Sequence, residues 1–293
     1  MEIEYLGPSN AKAYQSCLAK VYMQDVLDGC ENVLAIGVKN SDLPCGCIFA
    51  KVLDEIVWIK NLFVLPFARR KGAASLLINE LKLKALELGC AQIKFNAVTS
   101  TNNIDLLNKF LTKQGFSEIE LLARIYKASP EWILKEGKWA KRLLNFNFEL
   151  PDKVTILNQD EVDEELLAKL KNKEEINYPD VLSPFKNEFD LQREFSLFAV
   201  FDNKKIVGWF TAFRTNDDRI LYRSVFVDDA YRKSKLGLIM FSKVIKYHVE
   251  NCMDKDILAA AAVDNTSAIN FYSSFFNNSR DSIKYEFSTN IEL

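Results

Sequence analysis

The chain has 293 residues, with 38 Lys and Arg against 40 Asp and Glu, for a formal net charge of −2. This balance excludes a broad basic surface for following a nucleic-acid backbone, so no nucleic-acid partner is expected. The length predicts two domains, each large enough to enclose its own core. The start, Met1-Glu2-Ile3-Glu4-Tyr5, is acidic and lacks the positive and apolar parts of a signal peptide. Lys60 interrupts the longest apolar run well short of a membrane span. The chain therefore reads as soluble and cytoplasmic, without a membrane partner.

In chain order, residues 1–8 read as a first strand ending at Gly7-Pro8, and Asn10 as the cap of a helix carrying Tyr14, Cys17, Leu18, Val21, Tyr22 and Leu27 until Gly29. Strands follow at Val33–Val38 and Cys47–Leu53, joined by the turn-rich Asn40-Ser41-Asp42-Leu43-Pro44. Ile56–Leu65 is an almost wholly apolar, β-favouring strand stopped by Pro66, and Leu76 opens a helical pattern that closes at Gly89. Between them lies a basic, small-residue turn, Arg69-Arg70-Lys71-Gly72-Ala73-Ala74-Ser75. The amides at such a helix start have no partner within the helix, so together with the helix dipole they attract a phosphate. The small residues leave it room.

Ile93–Val98 is the next strand, followed by a helix carrying Leu106, Leu107, Phe110 and Leu111 that ends at Gly115, and then by the strand Ile119–Ala128. Trp132 and Trp139 are spaced for one helical face, and Leu143–Leu150 reads as the last strand of the first domain before Pro151. The second half then repeats the first. Gly208-Trp209-Phe210-Thr211-Ala212 aligns with Gly46-Cys47-Ile48-Phe49-Ala50, Val225-Phe226-Val227 with Leu62-Phe63-Val64, and Arg232 with Arg69. The expected domains are therefore 1–150 and 151–293, two diverged copies of one α/β unit with a mixed sheet.

The pattern Leu62-x-Val64-x-Pro66, with Arg69-x-x-Gly72-x-Ala74, resembles the acyl-CoA pyrophosphate loop of the GNAT superfamily of N-acetyltransferases. The order β-α-β-β-β-α-β-α-β is also that superfamily's order. The resemblance implies tandem GNAT folds and acetyl-CoA as co-substrate, held by Val64, Arg69, Arg70, Lys71, Gly72, Ala73, Ala74 and Ser75 in the first half. In the second half it implies Val227, Arg232, Gly237 and Asn265 as cofactor contacts, but with a degenerate loop in which Lys235 stands where the first half has Gly72.

The helix Asn265-Thr266-Ser267-Ala268-Ile269-Asn270-Phe271-Tyr272 resembles the family's Asn-x-x-Ala-x-x-x-Tyr helix, whose tyrosine commonly protonates the departing thiolate; this makes Tyr272 the candidate catalytic acid. Counting back from Gly115 places Leu111 at the matching position of the first half, and a leucine cannot donate a proton.

The implied reaction is aminolysis of a thioester. An ammonium acceptor near pKa ~10 must first lose a proton, and the thiolate leaves with a pKa near ~8.5. A strand N–H near Val64 or Val227 is placed to stabilise charge on the carbonyl oxygen. The central strands offer Lys60 and Asn61, or Arg223 and Ser224, before their valines, so neither supplies a carboxylate base. Asp54, Glu55, Asp217 and Asp218 read as hairpin-tip residues.

The six cysteines show no disulfide framework. With one histidine in the chain, Cys45-Gly46-Cys47 lacks the ligands for a zinc site and reads as strand packing, so no metal is expected. His248 reads as a surface or boundary residue of the helix Leu238–Cys252. The Phe-rich stretches Phe195–Phe201 and Phe271–Phe276 read as core faces, and segment 172–195 as either a cleft lining or a surface excursion. Two functions remain open: an acetyl-CoA-dependent N-acetyltransferase acting on an amine of a small molecule or polypeptide, and a non-catalytic CoA-binding or interaction protein. An aminoacyl-tRNA-dependent transferase is disfavoured by the acidic balance. The acceptor, the catalytic half and the oligomeric state are not fixed by the sequence.

Overall fold

The alternating and wholly apolar runs pair as sheets in a computed structural model that describes residues 1–136, 138–145, 149–185, 190–215, 218–276 and 283–293. The strands are β1 (Glu2–Tyr5), β2 (Val33–Asn40), β3 (Leu43–Leu53), β4 (Ile56–Val64), β5 (Gln92–Ser100), β6 (Glu120–Ala128), β7 (Val154–Asn158), β8 (Asp190–Leu191), β9 (Leu197–Phe201), β10 (Lys205–Arg214), β11 (Ile220–Val227), β12 (Ile257–Ala262) and β13 (Ile283–Glu292). The helices are α1 (Lys20–Leu27), α2 (Ala73–Glu87), α3 (Ile104–Lys113), α4 (Pro130–Lys135), α5 (Lys138–Leu144), α6 (Glu164–Lys171), α7 (Leu236–Asn251) and α8 (Thr266–Phe275). Among the described residues no helix is long and apolar enough to cross a membrane.

The chain forms two compact units, Met1–Leu122 with Lys284–Leu293, and Ala123–Ile283. The first has the strand order β1-β2-β3-β4-β5-β13. Its pairs are antiparallel except β4 with β5, which a helix crossover joins in parallel. The apolar face of α2, with Ala73, Leu77, Ile78, Leu81 and Ala85, is buried against Ile36, Val38, Ile48, Ala50, Val57 and Ile59 of β2–β4. The opposite face buries Tyr14, Cys17, Leu18 and Cys47, with Tyr22 stacked on Phe49 at 4.7 Å between ring centroids. Cys45 and Cys47 are free and buried in these two different clusters.

The second unit has the order β6-β12-β11-β10-β9-β7, with β8 beside β10. Its register copies that of the first: Gly46 faces Val64 and Ile48 faces Leu62, while Gly208 faces Val227 and Phe210 faces Val225. The two glycines have one cause. A Cβ on Gly46 would lie 2.9 Å from the Phe63 carbonyl oxygen, and one on Gly208 would lie 2.8 Å from that of Phe226.

Three local expectations are corrected. Asn10 caps no helix; its carboxamide accepts from the Gly7 amide and donates to Glu4, and the chain forms a short 3-10 turn at Ala11–Tyr14 before α1. The strand expected over Leu143–Leu150 is not present in the described part of that range, where Leu143 and Leu144 close α5; residues 146–148 lie outside the described residues. Trp132 and Trp139 fall on two short helices, α4 and α5, and the surroundings of the Trp139 side chain lie outside the described residues.

The last strand of the first unit is instead β13, from the far end of the chain, which pairs with β5 over nine residues and buries Phe287 in the α2 core. The compact units thus divide at Leu122/Ala123 and Ile283/Lys284, whereas the sequence reading places one boundary near Pro151.

Segment 172–195 is no loose excursion. Ile176 and Tyr178 are buried in the second unit's core, Tyr178 donates to the Leu170 carbonyl at 3.0 Å, and Trp209 Nε1 donates to the Leu182 carbonyl at 2.9 Å; residues 186–189 lie outside the described residues. Phe195 and Phe198, and Phe275 and Phe276, are buried as core faces.

His248 is fully buried, not at the surface. Its Nε2 lies 2.9 Å from the Lys255 carbonyl oxygen and must donate to it, so Nδ1 accepts from the Tyr222 hydroxyl at 3.0 Å.

Two predictions follow from this packing. Residues 1–150 alone lack β13 and its buried Phe287, leaving an open edge on β5, and should aggregate or melt without cooperativity. A chain joining residues 283–293 to Leu122 through a flexible linker should restore a cooperative melt by circular dichroism; equal stability of the two fragments would refute the role given to β13.

Burial holds the His248 pKa below its ordinary value, so on acidification the unfolded chain takes up this proton before the folded one does. Stability should fall as pH drops below ~6.5. The decrease in melting temperature between pH 7.5 and 5.5 should be smaller in His248→Gln, since no other histidine exists in the chain.

Candidate functional site

The site begins with a register error built into each central strand. In the first unit Phe49 pairs with Asn61 and Ala50 with Ile59, so Lys60 is an extra, bulged residue of β4. In the second, Thr211 pairs with Ser224 and Ala212 with Tyr222, leaving Arg223 bulged in β11. A bulge bends and twists its strand. The parallel ladder between β4 and β5 ends at Ile59–Phe95, though β4 runs on to Val64, and that between β11 and β12 ends at Tyr222–Ala259, though β11 runs on to Val227. Each unit therefore has a central strand whose far half is paired on one side only.

The direction of the unpaired groups follows from strand alternation. The Leu65 amide donates to the Cys45 carbonyl at 2.8 Å, towards β3, so the Val64 amide and carbonyl face the open side. The Asp228 amide likewise donates to the Val207 carbonyl at 2.9 Å, which turns the Val227 amide to the open side of β11.

Beyond β4, Pro66–Ala68 forms a 3-10 turn, Arg70 takes φ 59° and Gly72 takes φ 89°, after which α2 starts. The Leu76 amide is the first to bond within the helix, to the Gly72 carbonyl at 3.0 Å. The amides of Ala73, Ala74 and Ser75 precede it at the positive end of a 15-residue helix. A Cβ at Gly72 would meet nothing within 4 Å, so the mouth of the loop is open. Ala73 is buried, Ala74 and Ser75 are half-buried, and Arg69, Arg70, Lys71 and Gly72 are exposed. Arg69 Nε donates to the Val64 carbonyl at 2.9 Å with the guanidinium over Phe63, which pins the loop to the strand end. The loop carries three cations and no carboxylate.

The second unit repeats the strand-to-helix connection with a different backbone path and different side chains. A 3-10 stretch covers Asp229–Ser234 and Lys235 takes φ 63° before α7. The lysine thus adopts the left-handed conformation that Gly72 adopts without a Cβ, at a cost of roughly 1 kcal/mol. Two carboxylates precede this loop, at the places of Leu65 and Pro66. Asp228 caps the turn by accepting from the Ala230 amide, and Asp229 pairs with Arg232 at 2.6 Å. Gly237 lies in the first turn of α7, where a Cβ would come within 3.4 Å of Val227 Cγ2.

Tyr272 is buried on α8 against the rings of Tyr126, Phe271 and Phe276. Burial foremost, then the neighbouring Tyr126, pushes its hydroxyl up to about 12. Asn265 caps α8, its Oδ1 accepting from the Ala268 amide at 3.0 Å. In the first unit Leu111 of α3 is fully buried in the core.

Asp54 and Asp218 take left-handed turn conformations; Asp218 is held below the usual carboxylate range by hydrogen bonds from Lys255 and Arg214. Asp217 lies outside the described residues. Among the described residues no group of side chains is arranged to hold a metal ion.

Sequence reasoning missed a cleft of about 230 Å³ in the first unit, lined by Ser16, Cys17, Leu18, Ala19, Asn61 and Phe63. Asn61 follows the bulge and donates to the Cys17 carbonyl at 3.2 Å, tying the segment before α1 to the central strand. The isolated amide in an apolar strand was the available signal.

The family model of the acetyltransferase (GNAT) family matches residues 4–116 and 160–276, once in each half. No curated protein matches the sequence. Among solved structures, a tandem GNAT protein from the clavulanic acid biosynthesis pathway superposes with a TM-score of 0.67 at 13% identity, over 98% of both chains. A GCN5-related N-acetyltransferase from Sphaerobacter thermophilus gives 0.61 at 15% identity, over 99% of this chain and 95% of that one. A fungal GCN5-related glucosamine N-acetyltransferase region within a multi-domain β-N-acetylglucosaminidase gives 0.59 at 12% identity, over 98% of this chain and 38% of the other. At these identities the likeness is one of fold.

Relief of the Lys235 strain gives a further prediction: Lys235→Gly should raise stability by about 1 kcal/mol, or roughly 2–4 °C in melting temperature. A lower melting temperature would show that the lysine side chain contributes more than its backbone costs.

Proposed function

We propose that this chain, which belongs to the acetyltransferase (GNAT) family, is an acetyl-CoA-dependent N-acetyltransferase whose acyl-CoA site is in the first unit. The observation that carries this reading is the loop at Arg69–Ser75: a left-handed Gly72 with open space before it, followed by helix amides without intrahelical acceptors, and cations without a carboxylate. Such a loop suits a diphosphate by hydrogen bonding and by charge. In the second unit Lys235 stands at the place of Gly72, and two carboxylates, Asp228 and Asp229, precede the loop at the places of Leu65 and Pro66, where the first unit has no charge.

Acyl-CoA supplies an activated acyl carbon as a thioester. The amides of Ala73, Ala74 and Ser75, with Arg70 and Lys71, hold its diphosphate. Arg69 acts on the strand, keeping the Val64 amide turned to the open side, where it is a donor for charge developing on a carbonyl oxygen. The cleft beside Asn61 and Cys17 receives the acceptor amine. Its lining contains no carboxylate, and the Cys17 thiol is kept protonated by burial, so the amine loses its proton to water before attack.

Tyr272, held up to about 12, is poorly matched to a thiolate near ~8.5 and is assigned here to packing in the second unit. The buried Leu111 at the matching place in the first unit favours a second reading, a CoA-binding protein without turnover.

Three variants test the proposal against acetyl-CoA and a panel of amines. Gly72→Glu should remove acetyl-CoA binding from calorimetric detection and abolish turnover. The exposed pair Arg70→Glu with Lys71→Glu should do the same without the backbone strain. Tyr272→Phe should leave the rate within about twofold, against the roughly 10²-fold or greater loss expected of a positioned acid. Unchanged binding in both loop variants would overturn the site, and tight binding with no turnover of any amine would favour the second reading.

A further inference from the structure

The two units place different residues at one register position, and only one of the two choices is explained by packing. The pairs Val57–Ile93 and Ile220–Ile257 correspond, so Ala97 of β5 corresponds to Ala261 of β12. Opposite Ala97 the first unit has Phe287, fully buried in its core and edge-on to Phe95. Opposite Ala261 the second unit has Arg124 of β6.

Arg124 is half-buried, and its Nε is buried without a hydrogen-bond partner. Among the described residues no carboxylate pairs with it, and its guanidinium stands over the face of Tyr126, 5.2 Å from the ring centroid. An unsatisfied buried donor opposes folding, and a fold that tolerates phenylalanine at this position does not require a guanidinium.

The surroundings fit a ligand. Arg124 lies on β6, across β12 from β11, level with Ala261 and so past Ala259, where the β11 ladder ends; beside it runs Ala259-Ala260-Ala261-Ala262, whose side chains take little space. The same face carries Tyr126, whose hydroxyl is 3.2 Å from the Ile269 carbonyl oxygen and 3.0 Å from Ser273 Oγ on α8, and whose ring meets that of Tyr272. Arginine's planar fork matches an oxyanion in two parallel hydrogen bonds, and partial burial strengthens both.

We propose that Arg124 makes the β6–β12 face around Ala261 in the second unit a recognition site for a small ligand bearing an oxyanion, a carboxylate or a phosphate, which the first unit with Phe287 does not bind. This assignment is independent of the acyl-CoA loop at Gly72.

The test uses the full chain with ring-labelled tyrosine, following the NMR signals of Tyr126 and Tyr272 during titration with succinate, inorganic phosphate, or succinamide as the uncharged counterpart. At least one anion should shift these signals saturably while succinamide does not. Succinate alone would mark a carboxylate ligand, phosphate alone a phosphate, and both the shared oxyanion chemistry. Arg124→Leu and Arg124→Phe should weaken the binding at least tenfold while melting at or above the temperature of the unaltered chain, and Arg124→Lys should retain part of the affinity. Gly72→Glu should leave the titration unchanged. The proposal is overturned if neither anion shifts the signals, if succinamide shifts them equally, or if Arg124→Leu binds as before. Should the apolar variants fail to fold, equal loss of binding in folded Arg124→Lys and in a folded Lys127→Leu control would also overturn it.

Discussion

The bulges at Lys60 and Arg223 set the conditions for the rest of each unit, because a parallel ladder that stops early leaves backbone donors and acceptors that something else must satisfy. Strand β4 pairs with β5 over only four residues and β11 with β12 over three, while the antiparallel partners β3 and β10 follow their neighbours to the valines. Polar backbone of this kind is stable at an opening reached by water or ligand, and costly in a closed core. The glycines at 46 and 208 belong to the same arrangement: they let the neighbouring strand approach the Phe63 and Phe226 carbonyls closely enough to keep one side of the bulged strand fully paired. One side is thus secured and the other left open, with the helix start at Gly72 or Lys235 beyond it.

The same accounting explains why the ends of the chain matter. An open strand beside a short ladder weakens the sheet locally, and in the first unit the compensation is β13, paired along the full length of β5 with Phe287 in the core. Ser288 Oγ donates to Asn96 Oδ1 at 2.8 Å across a separation of 192 residues. Closing contacts so distant in sequence costs more chain entropy than forming the local hairpins of the same sheet.

Features fixed by nearby residues were legible in the sequence, and features fixed by distant partners were not. Gly72 and its basic neighbours announced a strand-to-helix turn because the left-handed residue, the cations and the small helix start all lie within seven positions. The duplication was legible because Gly46 and Gly208 answer the same local clash. The pairing of β13 was not, since its apolar alternation fits any sheet edge and nothing local selects β5. Leu143–Leu150 offers an equally apolar run nearer in the chain, but Leu143 and Leu144 belong to α5, and the register with β5 is supplied by β13. His248 was misplaced because its surroundings, Tyr222 and the Lys255 carbonyl, come from another strand and from a turn. Arg124 gave no signal, as its meaning depends on the register opposite Ala261 and on comparison with Phe287.

Divergence between the units follows a consistent direction in physical terms. The first has glycine at the left-handed start of α2 and no carboxylate at its loop, and at two matching positions it has Leu111 and Phe287, both apolar groups fully buried in its core. The second holds its loop at the expense of a left-handed lysine and adds Asp228 and Asp229, while at the same two positions it has Tyr272 and Arg124. Polar groups in partly buried places oppose folding unless a hydrogen-bond partner satisfies them. The loop chemistry and the polar side chains have therefore separated between the copies: Gly72 with its uncapped helix amides is in the first, and the tyrosine and the arginine are in the second. A tyrosine held near 12 in that second environment keeps its proton across the physiological range, a property suited to its packing against Tyr126, Phe271 and Phe276 and unsuited to rapid proton transfer.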